Sequence, residues 1–256
     1  MINFLNINIS KNIVIRCYSF IALILIWHFL SILLNNNVFP SPLLVFKVLI
    51  NNIKEGELLI HLAITLYRVF LSFFLAMIIG TFFGIIMGVK KNINVLLDGW
   101  NILFLNIPAL VIIILCYVWF GLNEIAAIIA VSLNKIPNVI VTIREGAKAV
   151  DNKLIEVAKV FKVNSSSTFF NFFLPQIYPY IMAAARSGIS LIWKIVLVVE
   201  LLGRSNGIGF KLHEFFQFFD IASILAYTFS FVIVMLAIEN FIFVPLDNVA
   251  NKWRNI

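Results

Sequence analysis

Long apolar segments separated by short polar ones dominate the sequence. Residues 17–34, 69–89 and 102–120 carry no charge, and each approaches the roughly 20 apolar residues that a helix needs to cross a bilayer. Three further apolar segments contain charged, amide or proline side chains: 125–143 with Asn134, Lys135 and Pro137, 177–202 with Arg186, Lys194 and Glu200, and 221–246 with Glu239. Because the segments are long and show no strand-like alternation, the pattern predicts an all-α, polytopic membrane helix bundle of about six transmembrane helices.

Composition agrees with a chain that lies mostly in lipid. Of the 256 residues, 62% are hydrophobic and 12% are charged, whereas about half of the residues of a soluble domain are apolar. Six spans with short connections leave no room for an appended soluble domain, so we expect a single transmembrane domain over residues 1–256. The net charge of +7 does not indicate nucleic-acid binding, because no basic run alternates with aromatic residues.

The distribution of lysine and arginine predicts the orientation, because cytoplasmic loops carry an excess of these residues. An even number of spans places both termini on one side. The richer set of loops contains Lys11, Arg16, Lys90, Lys91, Arg144, Lys148, Lys153, Lys159, Lys162, Lys252 and Arg254, and the poorer set contains Lys47, Lys54, Arg204 and Lys211. We therefore expect both termini, and the polar loop of about residues 144–175, to be cytoplasmic.

The loop itself predicts a helix, a turn and a second helix. Residues 151–161 have one apolar face, formed by Leu154, Val157, Ala158 and Phe161. Residues 163–167 supply turn and N-cap side chains, and a second apolar stretch, 168–174, is expected to end before Pro175.

In this loop the chain resembles the permeases of binding-protein-dependent ABC importers. Their signature is E-A-A, three residues, G, nine residues, I, one residue, L-P. The residues at these positions here are Glu156, Val157, Ala158, Lys162, Phe172, Leu174 and Pro175, so the spacing is kept, although Phe172 replaces the family isoleucine. The resemblance implies that this segment is the coupling helix that seats in a groove on the ATPase. Lys162 replaces the family glycine, which puts the turn geometry in question, and Asn164 is an alternative place for the left-handed residue.

Further segments extend the resemblance over nearly the whole chain, towards the branch that handles nitrate, sulfonates and taurine. They are Phe39-Pro40-Ser41-Pro42, Thr65-Leu66-Tyr67-Arg68-Val69, Trp119-Phe120-Gly121 and Glu200-Leu201-Leu202-Gly203. The resemblance implies a multi-pass permease of the bacterial inner membrane that is a transport subunit rather than an enzyme. It also implies a homodimer with the solute path at the subunit interface, two cytoplasmic ATPase subunits, and a periplasmic or extracellular solute-binding protein.

No phosphate-binding G-x-x-x-x-G-K-[ST] loop occurs in the sequence, so we expect no cofactor on this chain and ATP use by the partner. A small oxyanion is the leading solute, and a neutral or cationic metabolite such as a vitamin precursor is the alternative. An ion-coupled carrier or channel would be expected to show polar coupling sites at mid-membrane or inverted repeats. A membrane enzyme would need a cluster of catalytic groups at one interface.

Single charged residues within the spans are candidates for the solute path. Lys194 is an intramembrane cation that suits an anionic solute, and Glu200 near the outer end suits a gate or a contact with the binding protein. Glu239 is a possible partner for Lys194. Arg68 is interpreted as a snorkelling residue at the outer interface, without a catalytic role.

The remaining small, proline, cysteine and histidine residues are interpreted structurally. The four-residue spacing of Gly80, Gly84 and Gly88 predicts close helix packing. Pro108 and Pro137 are expected to interrupt the third and fourth spans. Cys17 and Cys116 are expected to be buried thiols, His28, His61 and His213 to be structural, and a metal site is not indicated.

Overall fold

A computed structural model describes residues 2–34, 36 and 38–251, with side chains for residues 14–15, 18–34, 36 and 38–247. The side chains of Lys11, Arg16, Cys17, Lys252 and Arg254, which entered the sequence interpretation, lie outside the described residues. Across the described part the ordered elements are all helical, which confirms the all-α prediction.

The helices are separated by short connections. Their bounds are α1 Ile2–Leu34, α2 Pro42–Glu55, α3 Glu57–Val89, α4 Lys91–Asn106, α5 Ala109–Phe120, α6 Glu124–Lys148, α7 Asn152–Val160, α8 Ser165–Thr168, α9 Leu174–Gly203, α10 Ile208–Gln217, α11 Ile221–Ile238 and α12 Val244–Asn251. Two π-helical turns, Phe169–Phe173 and Glu239–Phe243, join α8 to α9 and α11 to α12.

Four helical segments are long and apolar enough to cross a membrane. They are Glu57–Val89, Glu124–Lys148, Ser165–Gly203 and Ile221–Asp247, and they correspond to predicted spans two, four, five and six. The apolar stretch Tyr18–Leu34 within α1 corresponds to the first span but is shorter. The bent pair α4 and α5 corresponds to the third.

The third predicted span is not one straight helix. The chain bends by 96° between α4 and α5, at Ile107 and Pro108. Ile107 is extended, as the residue before a proline usually is, and Pro108 offers no backbone N–H to continue α4. The expected interruption at Pro137 is wrong, because α6 runs through this buried proline. Neighbouring helices can compensate a proline in a membrane helix.

Residue contacts divide the chain into two compact units, 1–59 with 212–230 and 60–211 with 231–256. The single domain therefore stays a prediction. In the first unit the segment Phe39-Pro40-Ser41-Pro42 starts α2: the Ser41 side chain accepts a hydrogen bond from the Leu44 amide (3.3 Å), and Pro42 opens the helix. The Trp27 indole N–H donates to the Pro40 carbonyl over 3.0 Å, which fastens this turn to α1.

In the second unit α3 and α6 approach very closely along a row of glycines. A Cβ atom added to Gly80 would lie 2.6 Å from Val139, one on Gly84 would lie 2.7 Å from Ile143, and one on Gly88 would lie 2.4 Å from Ala147. Since real Cβ atoms do not approach so closely, only glycine permits this packing, and the prediction for this row is confirmed.

Candidate functional site

The α6–α9 loop, residues 149–173, holds α7 as an amphipathic helix. The Asp151 carboxylate caps it by accepting a hydrogen bond from the Lys153 amide over 2.9 Å. Ala158 is fully buried, and Ile155 packs beside the buried cluster of Ala147, Val150 and Ile177, which belongs to α6, the loop and α9. The inner face of α7 is thereby fixed to the ends of two predicted spans.

The outer face of α7 is apolar as well, and it is exposed. Val160 is 79% exposed and Phe161 is 77% exposed, while Leu154 and Val157 are nearly half exposed. Of the face predicted from the sequence, only Ala158 turns inward. Glu156 is also exposed. The helix therefore presents apolar side chains, one carboxylate and two lysine ammonium groups to its surroundings.

The turn after α7 uses Lys162 where the family signature has glycine. Lys162 has a φ of 54°, in the left-handed region, and its amide donates to the Lys159 carbonyl over 2.9 Å. The Val163 amide donates to the Ala158 carbonyl, also over 2.9 Å, which completes a Schellman motif. Asn164 is not the left-handed residue; its φ is −66°, and its side chain caps α8 at the Ser167 amide. The geometry of a glycine turn is thus kept by a lysine.

Replacing Lys162 by glycine should stabilise this turn by about 1 kcal/mol, because glycine adopts positive φ without a Cβ clash. Hydrogen exchange should show the last amides of α7 protected about fivefold better. Lys153→Gly, within the same helix, is the control and should lower protection by a similar factor. Unchanged or weaker protection in Lys162→Gly would contradict the strain inferred from the positive φ.

The second helix of the loop does not end before Pro175 as expected. The segment Ser165–Gly203 is one continuous helix, with Leu174 half-buried and Pro175 exposed in the first turn of α9. The π-helical turn Phe169–Phe173 immediately precedes the proline. Its wider hydrogen-bond spacing relieves the clash that a proline makes with the preceding turn of an α-helix, so the loop continues directly into the span.

At the other end of the same spans, Arg68 lies at the centre of a buried polar cluster, which we call the Arg68 network. Its Nε and Nη2 donate to the two carboxylate oxygens of Glu124 over 2.8 and 2.7 Å. Its Nη1 donates to Glu200 over 2.7 Å and to the Asn206 carbonyl over 2.9 Å, and Nη2 also donates to the Asn206 side chain. All five guanidinium N–H groups therefore have an acceptor.

Glu200 closes the Arg68 network from α9. Besides Arg68, its carboxylate accepts hydrogen bonds from Thr65 Oγ over 2.9 Å and from the Gly209 amide over 2.8 Å, and the side chain is fully buried. A Cβ on Gly207 would lie 2.3 Å from the Glu200 carboxyl carbon. Arg204 adds a second cation by pairing with Glu124. Two arginines thus balance two carboxylates.

The interpretation of Arg68 as a snorkelling residue is wrong, because the side chain is 1% exposed and doubly paired. Glu200, predicted for the gate or path, has its carboxylate held by partners within the same chain, and its path role stays a prediction. The sequence contained a signal for this cluster. Two of the family-like segments, 65–69 and 200–203, each carry one charge at the end of a span, with opposite signs.

One face of α9 carries polar side chains that are exposed within the bilayer-crossing segment. This face contains Arg186, Ser190 and Lys194 at intervals of four residues, and Ser187 three residues before Ser190. The Lys194 ammonium lies 5.5 Å from the Trp193 ring centroid. A groove of about 570 Å³ runs beside this face, between α9 and residues 232–239.

The charges in this groove pair differently from the expectation. Arg186 Nε donates to Glu239 over 2.6 Å, and Arg186 Nη1 lies 3.5 Å from Asp247. The predicted pairing of Glu239 with Lys194 is therefore wrong. Lys194 lies eight residues, about two helical turns, from Arg186 along α9, so the two cations lie at different depths. Lys194 stays available on the same exposed face.

Other isolated residues have ordinary structural surroundings. His61 accepts a hydrogen bond from the Gly207 amide at its Nδ1 over 2.9 Å, and Cys116 is buried, as predicted. The Tyr117 hydroxyl donates to the Val199 carbonyl over 2.9 Å, which ties α5 to α9. These contacts stabilise the bundle around the Arg68 network.

Apolar spans, a polar face within one of them, and an exposed amphipathic helix fixed to the ends of two spans define a multi-pass membrane transport subunit. Residues 80–254 match the family of binding-protein-dependent transport system inner membrane components. The chain belongs to this family, the permeases of ABC importers.

Curated relatives cover most of the chain. It is 29% identical over 236 residues to SsuC of Bacillus subtilis, named as an aliphatic sulfonates transport permease, covering 91% of this chain and 85% of that protein. It is 24% identical to TauC of Escherichia coli, a taurine transport system permease, over 85% and 82% of the two chains. NrtB of Synechocystis, a nitrate import permease, is 26% identical over 91% and 88%.

Solved structures show the same fold at low identity. The inward-facing MetNI methionine ABC transporter matches with a TM-score of 0.62 and 15% identity, covering 73% of this chain and 92% of that chain. An amino acid ABC transporter crystallised with histidines matches with a TM-score of 0.55 and 21% identity, covering 81% and 98%. Both support the ABC permease architecture.

Proposed function

We propose that this permease forms the path for a small oxyanion, such as a sulfonate, taurine or nitrate, in an ATP-driven importer. The relatives named for these three solutes match along most of their length. The observation that carries the proposal is the polar face of α9, because polar side chains exposed at membrane depth are costly against lipid and mark a partner subunit or a watery path. We place the path along this face, at the interface of a homodimer.

The same proposal assigns the outer face of α7 to the ATPase. Exposed Val157, Val160 and Phe161 form an apolar surface, and an amphipathic helix that lays such a surface into a groove is a common recognition mode. Glu156, Val157, Ala158, Lys162, Leu174 and Pro175 form the coupling segment in this proposal. Two ATPase subunits would bind it on the cytoplasmic side, with both termini of this chain on that side, and they would supply ATP hydrolysis.

Movement of the ATPase would reach the spans through the buried side of α7. Ile155, Phe173 and Leu174 pack around Ala147 of α6 and Ile177 of α9. Since packed interiors transmit displacement, a shift of α7 would displace the ends of both helices together. A solute-binding protein would deliver the solute to the opposite side.

One observation favours the alternative solute, a neutral or cationic metabolite. Arg186 in the groove is balanced by Glu239 and Asp247, which leaves Lys194 as the cation of this face with no carboxylate partner among the described residues. A groove with little excess positive charge also suits a zwitterion or a neutral molecule.

Uptake measurements test the solute assignment. The chain is expressed with its ATPase and binding protein in a strain that lacks its own uptake systems, and radiolabelled ethanesulfonate, taurine and nitrate are supplied separately. Uptake of at least one of them, lost when the chain is omitted, is expected. Uptake of only a neutral or cationic metabolite would contradict the proposal.

Lys194→Met should lower uptake of the oxyanion roughly tenfold, because a hydrogen bond to a charged group contributes about 1.5–3 kcal/mol. Association with the ATPase should be unchanged, since Lys194 is exposed on α9 and remote in sequence from α7. Lys91→Met, at an exposed position of α4, is the matched control and should transport normally. Equal loss of uptake and of assembly would identify Lys194 as a structural residue.

A further inference from the structure

Lys135 is a buried cation near the middle of α6, which crosses the membrane. The side chain is 3% exposed. It packs beside Gly188, which lies near the middle of α9, and close to Phe73, near the middle of α3. The three residues therefore share the central depth of the bundle, the region where a charge is most expensive.

The ammonium of Lys135 has no hydrogen bond or ion pair within the part of the chain that the structure describes. The buried and half-buried arginines in these helices are compensated: Arg68 by Glu124 and Glu200, and Arg144 by Asp98. Burying a charge without a partner in an apolar interior is costly. A counter-charge from outside this chain would remove that cost.

The bundle provides a slot for the lysine stem. A Cβ on Gly188 would lie 3.4 Å from Lys135 Cε and 3.6 Å from the Phe73 ring, which are ordinary van der Waals distances, so the lysine stem lies in an apolar slot beside α9 and Phe73. A methionine has similar length and would fill the slot without bringing a charge into the membrane. Packing alone therefore does not explain a lysine here.

We infer that Lys135 is the mid-membrane cation that contacts the transported oxyanion. This inference rests on the proposed function and adds a residue that the sequence had marked only as an interruption of the fourth span. An ammonium on a flexible stem offers three N–H donors to oxyanion oxygens. Transporter solute sites commonly lie near the bilayer midplane.

Lys135 and Lys194 then act at different depths. On α9, Lys194 lies closer to the Gly203 end than Gly188 does, and this end is external in the predicted orientation. Lys194 is exposed on the outer face of α9, whereas Lys135 packs against the buried face of α9 at Gly188, so the oxyanion would reach Lys135 only inside the bundle. Lys135 would determine specificity, since it offers a positive charge where lipid and apolar side chains surround the path.

The test compares Lys135→Met and Lys135→Arg with the wild-type importer, using radiolabelled ethanesulfonate, taurine and nitrate as probes and Lys91→Met as the control. Uptake should fall roughly tenfold or more in Lys135→Met, the size expected for losing a charged hydrogen bond, and should be partly retained in Lys135→Arg. Thermal stability of the detergent-solubilised chain should follow the opposite order. Lys135→Met should be at least as stable as wild type, because it removes a buried unpaired charge, and the larger Lys135→Arg should be less stable.

Higher uptake in Lys135→Arg than in Lys135→Met, together with higher thermal stability in Lys135→Met than in Lys135→Arg, would support the inference. A Lys135→Met chain that loses stability together with uptake would overturn it in favour of a structural lysine. Wild-type oxyanion uptake that survives in Lys135→Met would also overturn it and leave the proposed function standing. Wild-type uptake of only neutral or cationic solutes would overturn both.

Discussion

Arg68→Leu should lower the free energy of unfolding by about 3–5 kcal/mol, the cost of breaking a buried ion pair from one side. The leucine leaves the fully buried Glu200 without its cation and removes the bidentate guanidinium partner of Glu124. Thermal unfolding of the detergent-solubilised chain measures this loss. Arg68→Lys should recover little of it, since an ammonium cannot reproduce the planar fork that reaches Glu124, Glu200 and Asn206.

Two further variants separate charge from packing in the Arg68 network. Adding Glu200→Gln to Arg68→Leu should restore part of the stability, because the amide removes the uncompensated charge and its oxygen still accepts from the Gly209 amide. Lys148→Leu is the control outside the network; it removes an exposed ion pair with Glu145 and should cost under about 1 kcal/mol. A loss of under about 1 kcal/mol for Arg68→Leu would show that the network does not stabilise the bundle.

Glu156→Lys should reduce solute uptake to background while the chain inserts at the normal level. The carboxylate lies on the exposed side of α7, outside the buried cluster of Ala147, Val150 and Ile177, so reversing its charge leaves the fold intact. A reversed charge within a docking surface costs about 2–5 kcal/mol, which corresponds to a loss of binding of roughly thirtyfold or more. Uptake and the amount of inserted chain are measured on the same membranes.

Lys54→Glu is the control for Glu156→Lys. Lys54 is exposed at the end of α2, on the side of the membrane opposite to α7 in the predicted topology. Its reversal should leave uptake intact. Normal uptake by Glu156→Lys, or equal losses in the two variants, would contradict the assignment of α7 as the coupling helix.

Hydropathy and local spacing were sufficient for much of the fold. Uncharged or nearly uncharged runs predicted the spans, and the glycine row predicted a close helix approach on α3, where α6 packs. The amphipathic α7 was also predictable, because a helix end, a turn and a cap all lie within a few residues of one another in sequence. These features depend on neighbours three or four residues apart.

Features that depend on distant pairs were not predictable in the same way. Arg68 meets Glu124 and Glu200 across separations of 56 and 132 residues, and no local pattern specifies which charges converge. The same reason explains the wrong partner for Glu239, which pairs with Arg186 rather than Lys194. The sequence alone marked Lys135 only as a polar interruption of the fourth span. Its burial without a counter-charge becomes visible only in the packed bundle.

Copurification tests the coupling role most directly. The tagged wild-type chain is solubilised from its native membrane, isolated in folded form, and compared with Glu156→Lys isolated in the same way. We expect an ATPase subunit to accompany the wild-type chain and to be absent from the Glu156→Lys sample. A folded wild-type chain that carries no ATPase, or a Glu156→Lys chain that carries as much ATPase as wild type, would contradict docking through α7.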